Sequence, residues 1–284
     1  MIAKRKIIEL GANLIKFTLR ILSDEKQALA SGIIAEAMCP IIKQDTKYGQ
    51  ILFFCPGTLP VWRAQTLLTK EMETIEWIDT FETNNVFWDI GANVGCYSLY
   101  AAKKGVSVLS FEPSSANYYV LCKNIELNKV SDNISPYCIA FNDSSELAYF
   151  NMSTLEIGGA ISSFGQSIDE IKIVGEKKHV ISRQAMIGFS VDDFIKHYKP
   201  PFPNYIKIDV DGIEDKIITG AKETIQDDRV KSILVEIDDD DSSSRDYIIR
   251  ALKNCRLETI SKKHSTMFDD SKYSSVYNYI FGRL

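Results

Sequence analysis

The stretch that decides the fold runs from residue 87 to residue 95 and reads Phe-Trp-Asp-Ile-Gly-Ala-Asn-Val-Gly. A short apolar run ends in Asp89, a turn with two glycines follows, and a helical pattern begins after Gly95. Gly91 and Gly95 allow a tight turn and a close approach of the backbone to a ligand. Free N–H groups at the start of the helix can bind a carboxylate or a phosphate. A plain tight turn explains this piece alone equally well.

Downstream of this turn, apolar runs of strand length alternate with patterns of helical spacing. This alternation predicts an α/β fold with a largely parallel sheet and helices on both faces. The predicted strands are residues 86–88, 106–111, 134–141, 205–210, 230–237, 257–260 and 276–281, and the predicted helices are 97–104, 116–128 and 246–254.

Residues 144–205 interrupt the alternation and form a predicted insertion. They are rich in Ser and Gly, with a predicted strand at 184–189 and a helix that begins after Ser190 and runs toward Tyr198. Because the insertion follows a central strand, we expect it to lie beside the carboxyl edge of the sheet as a lid or substrate-binding element.

Upstream, residues 1–80 read as a helical extension that also contains a short strand or hairpin. Apolar spacing predicts helices at 2–22, 25–38 and 62–81, and a strand at 51–55. The sequence therefore predicts two parts, the extension 1–80 and an α/β domain at 81–284.

A second motif, Phe-Glu-Pro at 111–113, ends the next predicted strand. Glu112 lies 21 residues after Gly91, the spacing of an acid that binds the two hydroxyls of a ribose. Together the two motifs predict a ligand that contains a nucleoside. Asp89 would repel the pyrophosphate of NAD but attract the ammonium and sulfonium of S-adenosylmethionine, so it favours the latter.

Polar residues also follow the third predicted strand. Asn142 and Asp143 would lie where the amine of adenine could be bound, although a turn rich in Asn and Asp is an equally good interpretation.

The fourth motif is Ile-Lys-Ile-Asp-Val-Asp-Gly-Ile-Glu at 206–214. Lys207, Asp209 and Asp211 would project to one side of a central strand, where three charges are too costly to bury unpaired. A functional crevice at the strand end explains them, and Glu236 repeats the pattern on the next strand. We interpret the acidic run 238–241 as a solvated loop rather than a cation site.

Composition limits the class of protein. The chain has 284 residues, 45% hydrophobic and 25% charged, with a net charge of −5. These values are ordinary for a soluble globular protein and disfavour disorder, a membrane bundle and a nucleic-acid partner. The six cysteines contain no CxxC pair, so we expect reduced thiols, a cytoplasmic location and no metal site.

The N-terminal helix is basic and amphipathic. Residues 1–22 carry a net charge of +4, and Leu10, Leu14 and Phe17 recur at helical spacing. Glu9, Lys16 and Arg20 interrupt the apolar segment, so we do not expect a signal peptide. The helix either covers the main domain or a partner subunit, such as a second copy in a homo-oligomer, or contacts an anionic membrane surface peripherally.

Four of these stretches, at 87–95, 111–113, 206–214 and Leu-Val-Glu-Ile at 234–237, resemble in order and spacing the FkbM family of S-adenosylmethionine-dependent methyltransferases, and the similarity covers roughly residues 61–284. Asp211 is a departure, since many members carry Glu there. The resemblance implies a class I methyltransferase fold with a seven-stranded, mostly parallel sheet and an antiparallel last strand. It also implies O-methylation of sugars, glycolipids or polyketide-like products. By the same implication the cofactor is held by Asp89, Gly91, Asn93, Gly95 and Glu112, with Asn142 and Asp143 near adenine, and Lys207 and Asp209 near the methyl group.

The sequence thus predicts an O-methyltransferase that acts on a small-molecule or glycan hydroxyl. Asp209 is the first candidate for the general base and Glu236 the alternative, while Lys207 could orient either one. The competing hypotheses are an NAD-dependent oxidoreductase and a non-catalytic protein that binds S-adenosylmethionine.

Overall fold

The computed structural model describes residues 2–165 and 179–283 and divides into two compact units, Met1–Pro40 and Ile41–Leu284. The first unit contains helices α1 (Ile2–Leu19) and α2 (Asp24–Met38), which confirms the two helices predicted there. The sequence analysis placed the start of the α/β domain near residue 81. That boundary is not tested by the division into two units and stays a prediction. No helix of the described residues is long and apolar enough to cross a membrane.

The second unit alternates strands and helices over most of its length. Its elements in chain order are β1 (Ile41–Thr46), β2 (Gly49–Phe54), α3 (Thr58–Gln65), α4 (Met72–Asp79), β3 (Val86–Ile90), α5 (Cys96–Lys104), β4 (Ser107–Phe111), α6 (Ser115–Asn128), β5 (Ile134–Tyr137), β6 (Ala140–Phe141), β7 (Glu146–Met152), β8 (Ser162–Phe164), β9 (Ser182–Phe189), α7 (Val191–Tyr198), β10 (Tyr205–Ile208), α8 (Glu214–Thr219), α9 (Lys222–Gln226), β11 (Ser232–Asp238), α10 (Ser242–Asn254), β12 (Leu257–Lys263) and β13 (Val276–Arg283). A short 3-10 helix, Thr266–Phe268, lies between the last two strands.

The main sheet has seven strands in the order β12-β13-β11-β10-β3-β4-β5. The neighbours from β11 to β5 pair in parallel, whereas β13 is antiparallel to both β11 and β12. This topology confirms the predicted fold class, a seven-stranded, mostly parallel sheet with an antiparallel last strand. In parallel strands the carboxyl ends meet at one edge, so the predicted site residues on β3, β4, β10 and β11 converge there.

Alternating side chains of the central strands fill two hydrophobic cores, one on each face of the sheet. Trp88 and Ile206 belong to one core, and Phe87 and Tyr205 belong to the other. Burial on both faces explains why these strands read as continuous apolar runs in the sequence.

Two predicted elements are wrong in their boundaries. The predicted helix 62–81 is two helices, because the chain makes a turn after Gln65 in which the N–H of Lys70 bonds to the carbonyl oxygen of Thr66. The predicted strand 134–141 is also two pieces. Its first part, β5, stops at Tyr137, and β6 joins another sheet.

The predicted insertion contributes most of that second sheet, whose order is β6-β9-β7-β8. β7 is antiparallel to both β9 and β8, while β6 runs parallel to β9. The predicted strand 184–189 is confirmed as β9, and Ser190 caps α7 by accepting a hydrogen bond from the N–H of Asp193. Part of the predicted lid, residues 166–178, lies outside the described residues.

Candidate active site

The turn between β3 and α5 is held against both neighbouring strands. Gly91 has φ +86°, and a Cβ atom there would lie 1.9 Å from the carbonyl oxygen of Asp209, so no other residue fits without a shift of the backbone. The N–H groups of Gly91 and Ala92 both donate to the carbonyl oxygen of Phe111. Gly95 has φ +88° and precedes the first residue of α5. The predicted need for glycine at both positions therefore has a physical reason in the structure.

Glu112 follows β4 and is 4% exposed. Its two carboxylate oxygens accept hydrogen bonds from the backbone N–H groups of Asn93, at 2.8 Å, and of Ser114, at 2.9 Å. Burial raises the pKa of Glu112 to about 7, although these hydrogen bonds oppose the shift. The carboxylate is thus fixed in position beside the glycine turn, and it lines a cavity.

This cavity has a volume of about 620 Å³, within the usual range for small-molecule sites. Five of the predicted site residues line it, and they come from the ends of four adjacent strands. They are Gly91, Asn93, Glu112, Asp209 and Glu236. Further wall residues come from the connection between β12 and β13, namely His264, Ser265, Phe268 and Tyr273.

Asp89 is buried and is not one of the residues that line the cavity. Its Oδ2 atom accepts a hydrogen bond from Ser98 Oγ at 2.5 Å, while Oδ1 has no hydrogen-bond partner in the described chain. Burial raises the pKa of Asp89, and the nearby ammonium group of Lys207 opposes that rise. Asp89 thus joins the end of β3 to the first turn of α5, and its predicted contact with the cofactor stays a prediction.

Asn142 and Asp143 are likewise outside the cavity wall. The Asn142 side chain is buried and donates to Glu146 Oε1 at 3.1 Å, whereas Asp143 is exposed. The residues that reach the cavity from this part of the chain are apolar: Ile139, Ala140 and Phe141. Contact of Asn142 and Asp143 with adenine stays a prediction.

Lys207 and Asp209 form an ion pair at the end of β10. Lys207 is 1% exposed, and its Nζ atom lies 2.5 Å from Asp209 Oδ2 and 5.1 Å from the centre of the Tyr97 ring. Burial alone would raise the pKa of Asp209, but the ammonium groups of Lys207 and Lys70 hold it below its ordinary value. Asp209 is therefore an ionised carboxylate near neutral pH.

Glu236 differs from Asp209 in its surroundings. No hydrogen bond or ion pair to its carboxylate is found in the described part of the chain. Burial raises its pKa well above the ordinary value, and the carboxylates of Asp209 and Glu71 add to the shift. When ionised, Glu236 is therefore the stronger base of the two.

Three residues that the sequence analysis did not predict belong to the same cluster. Lys70 and Glu71 line the cavity and form an ion pair, and Tyr97 donates to Glu71 Oε2 at 2.8 Å. Lys70 and Glu71 lie in the turn between α3 and α4, a position that was predicted to be helical. The sequence contains one signal for the end of the helix, the Thr-Leu-Leu-Thr run before Lys70. Threonine side chains can form hydrogen bonds to the backbone that compete with those of a helix.

The loop between β7 and β8, residues 153–161, covers one side of the cavity. The carbonyl oxygen of Gly159 accepts from the side-chain amides of Asn93 and Asn117, at 3.0 and 3.3 Å. Just beyond the loop, the N–H of Ser162 donates to Asp211 Oδ2 at 2.9 Å. The loop is thereby fixed to the glycine turn and to the segment after β10, which agrees with the predicted location of the insertion beside the sheet edge.

In the described ranges, no group of three or more His, Cys, Asp or Glu side chains is placed to hold a metal ion. The acidic run 238–241 does contribute Asp238 and Asp241 to the cavity wall.

Comparison with known proteins gives the family. The model of the methyltransferase FkbM domain matches residues 89–257, more than half of the chain. The chain belongs to the FkbM family of methyltransferases. The predicted resemblance is thereby confirmed, and the matched FkbM region contains every predicted site residue.

Individual relatives are more distant. The chain is 24% identical over 213 residues to hexuronic acid methyltransferase AglP of Haloferax volcanii, an alignment that covers 74% of this chain and 78% of that protein. Two solved structures are similar at TM-scores of 0.47 and 0.44: a methyltransferase FkbM from Methylobacillus flagellatus KT, 16% identical, and a Pyrococcus abyssi tRNA (uracil-54, C5)-methyltransferase in complex with S-adenosyl-L-homocysteine, 11% identical. The alignments cover 70% and 86% of this chain, which spans 44% of each of those two proteins.

Proposed function

We propose that this FkbM-family protein transfers a methyl group from S-adenosylmethionine to a hydroxyl group of an acidic sugar, free or within a glycan or glycolipid. The observation that carries the proposal is the single cavity that joins Glu112 and the glycine turn to Glu236 and Asp209. A nucleoside site and a proton acceptor thus open into one space. The sugar class is supported by the hexuronic acid methyltransferase to which the chain is similar.

The residues of the wall fit this cofactor. The fixed carboxylate of Glu112 can accept hydrogen bonds from two ribose hydroxyls, and the close packing at Gly91 brings the backbone turn beside that carboxylate. Apolar Ile139 and Phe141 offer flat contact for an adenine ring. Bound S-adenosylmethionine supplies an electrophilic methyl group on a cationic sulfur.

Charge favours this cofactor over NAD. The carboxylates of Glu71 and Asp209 line the cavity, and neighbouring lysines hold both pKa values below the ordinary range, so both are ionised near neutral pH. They attract a sulfonium, and they would repel the pyrophosphate of a dinucleotide at close range. The oxidoreductase hypothesis therefore has less support than methyl transfer.

The chain's own residues would then do two things, position the acceptor hydroxyl and accept its proton. We assign proton acceptance to Glu236, because its raised pKa makes the ionised side chain a stronger base than Asp209 and no cation is bound to it directly. Asp209, held by Lys207, keeps a fixed negative charge beside it. That charge favours a cationic group in the cavity and raises the proton affinity of Glu236.

Two measurements test the proposal. Calorimetry should detect binding of S-adenosylmethionine and no binding of NAD. Incubation of the protein and S-adenosylmethionine with oligosaccharides that contain glucuronic or galacturonic acid should give S-adenosylhomocysteine and an oligosaccharide that carries one more methyl group. Oligosaccharides with glucose or galactose in the same position serve as controls. Tight binding of S-adenosylmethionine without turnover on any uronic acid would reject the acceptor class, and binding of NAD alone would reject methyl transfer.

A further inference from the structure

The cavity wall has a strong excess of acidic side chains. Its carboxylates belong to Glu71, Glu112, Glu156, Asp209, Asp211, Glu214, Glu236, Asp238 and Asp241. Its lysine and arginine side chains, within the described ranges, are only Arg63 and Lys70. A ligand that carries a carboxylate therefore has few places where it would be attracted rather than repelled.

Lys70 is already neutralised by the protein. Its ammonium group forms an ion pair with Glu71, and Glu71 is also held by the hydroxyl of Tyr97. The other buried ammonium near the site, that of Lys207, is bound to Asp209.

Arg63 is different because its charge is not matched by a direct partner. Its Nε–H donates to the carbonyl oxygen of Gly158 at 2.8 Å, which orients the guanidinium toward the loop that covers the cavity. Over the described residues, no carboxylate forms an ion pair with it, and its two Nη groups make no hydrogen bond to the protein. The same guanidinium is still close enough to oppose the rise that burial gives to the pKa values of Glu112 and Asp211, and it helps to hold the pKa of Asp209 low.

A guanidinium in this state is suited to one kind of ligand. Its terminal N–H groups form a planar fork that matches the two oxygens of a carboxylate, and such a pair is stronger than a neutral hydrogen bond. One N–H is already fixed by Gly158, so the fork loses little freedom when a ligand binds. We infer that Arg63 is the carboxylate-binding residue of this cavity.

Two ligands of the proposed reaction carry a carboxylate, the methionine part of the cofactor and a uronic acid acceptor. The second source rests on the proposed function, whereas the first requires only the cofactor. Either contact would let a cavity with so many acidic groups hold an anionic group. The two sources are separated by two pairs of probes, in each of which only one member carries the carboxylate.

The test compares Arg63→Gln with the wild type in four binding measurements. S-adenosylhomocysteine and 5′-methylthioadenosine share a nucleoside and a thioether, but only the first has the amino-acid carboxylate. Methyl glucuronide and methyl glucoside, titrated into the protein saturated with S-adenosylhomocysteine, differ in the acceptor carboxylate. Arg256→Gln removes one exposed arginine that does not line the cavity and serves as the matched control.

We expect Arg63→Gln to weaken one carboxylate-bearing probe by roughly 10- to 100-fold, the range for a hydrogen bond to a charged group, while its neutral counterpart is unchanged. Loss confined to S-adenosylhomocysteine identifies the cofactor carboxylate, and loss confined to methyl glucuronide identifies the acceptor. Unchanged affinity for both acids overturns the inference. Equal losses for S-adenosylhomocysteine and 5′-methylthioadenosine also overturn it, because Arg63 would then only anchor Gly158. Failure of the proposed function is seen separately, as absence of turnover by the wild type.

Discussion

Lys207 Nζ lies 2.5 Å from Asp209 Oδ2, and both groups sit at the carboxyl end of the same central strand. Alternate residues of a β-strand project to the same side, so these two side chains share a face, as the sequence analysis predicted. The ion pair makes the buried lysine tolerable, since an unpaired ammonium at 1% exposure would cost several kcal/mol. It also lowers the pKa of Asp209, so the carboxylate next to the lysine is a weak base and the carboxylate on the next strand, Glu236, a stronger one.

This contrast predicts different phenotypes for two isosteric substitutions. Glu236→Gln should lower single-turnover methyl transfer by about 10²- to 10⁴-fold with little change in S-adenosylmethionine affinity, because an amide cannot accept the hydroxyl proton. The wild-type rate should rise with pH through the raised pKa of Glu236, and this rise should be absent in Glu236→Gln. Methyl transfer measured from pH 5 to pH 9 gives both results.

Asp209→Asn should instead act mainly on stability. Loss of the partner of a buried charge costs about 3–5 kcal/mol, and we expect the lower end because Asp209 is partly exposed and because Asp89 and Glu71 also lie near Lys207. Urea unfolding measures this loss. If Asp209→Asn abolished turnover in a stably folded protein while Glu236→Gln kept the full rate, Asp209 would be the base.

The sequence predicted those parts of the site that depend on strand ends. Gly91, Glu112 and Asp209 each follow a parallel strand, and Glu236 lies near the end of one. The carboxyl ends of parallel strands meet at one edge. Their convergence in one cavity therefore required only the correct alternation of strands and helices.

Residues outside the alternation could not be predicted in the same way. Lys70 and Glu71 reach the cavity because one apparent helix is broken after Gln65, a feature that apolar spacing does not reveal, whereas Arg63 reaches it from the last turn of α3. The side chain of Asp89 lies outside the wall and accepts a hydrogen bond from Ser98, and its contact with the cofactor stays a prediction. A strand pattern gives the side to which a residue points, but it does not give its depth below a surface.

The close contact of the turn predicts a specific cost for Gly91→Ala. Positive φ and a Cβ at 1.9 Å from a backbone oxygen should together destabilise the protein by more than the 1–3 kcal/mol of backbone strain alone and should impair S-adenosylmethionine binding. Gly49→Ala is a matched control, since Gly49 has φ +101° with nothing within 4 Å of its Cβ position. Thermal unfolding of both variants separates the cost of the close contact from the cost of the positive φ. Equal losses of stability in the two variants would contradict this prediction.

The N-terminal unit predicts a salt-dependent membrane contact. Apolar side chains of Leu10, Leu14 and Phe17 are exposed on the described helix α1, and residues 1–22 carry a charge of +4. Full-length protein should therefore co-sediment with vesicles rich in phosphatidylserine at low salt, and less so at 0.5 M salt, because surface attraction is screened over a few ångströms. Protein lacking residues 1–22 should remain in solution. Equal sedimentation with purely zwitterionic vesicles would reject an electrostatic contact.

The raised pKa of Glu112 predicts a pH dependence of the stability of the ligand-free protein. Its pKa is about 7 when folded, because of burial, and about 4.3 in an unfolded chain. Between these values the folded state holds a proton that the unfolded state has released, so stability is lost as the pH rises from about 4 to about 7. The shift corresponds to about 4 kcal/mol.

Glu112→Gln carries no charge at any pH and should lose this contribution. The difference between the unfolding free energies at pH 5 and pH 8, measured in urea, should be smaller in the variant than in the wild type by roughly 2–3 kcal/mol. Comparison with the wild type is needed because burial also raises the pKa of Asp211, to about 6, and this second group titrates in both proteins. Glu223→Gln, at an exposed position, should keep the wild-type difference. If Glu112→Gln also kept the wild-type difference, the Glu112 carboxylate of the wild type would be ionised throughout this pH range. The hydrogen bonds that it accepts from Asn93 and Ser114 would then lower its pKa by more than burial raises it.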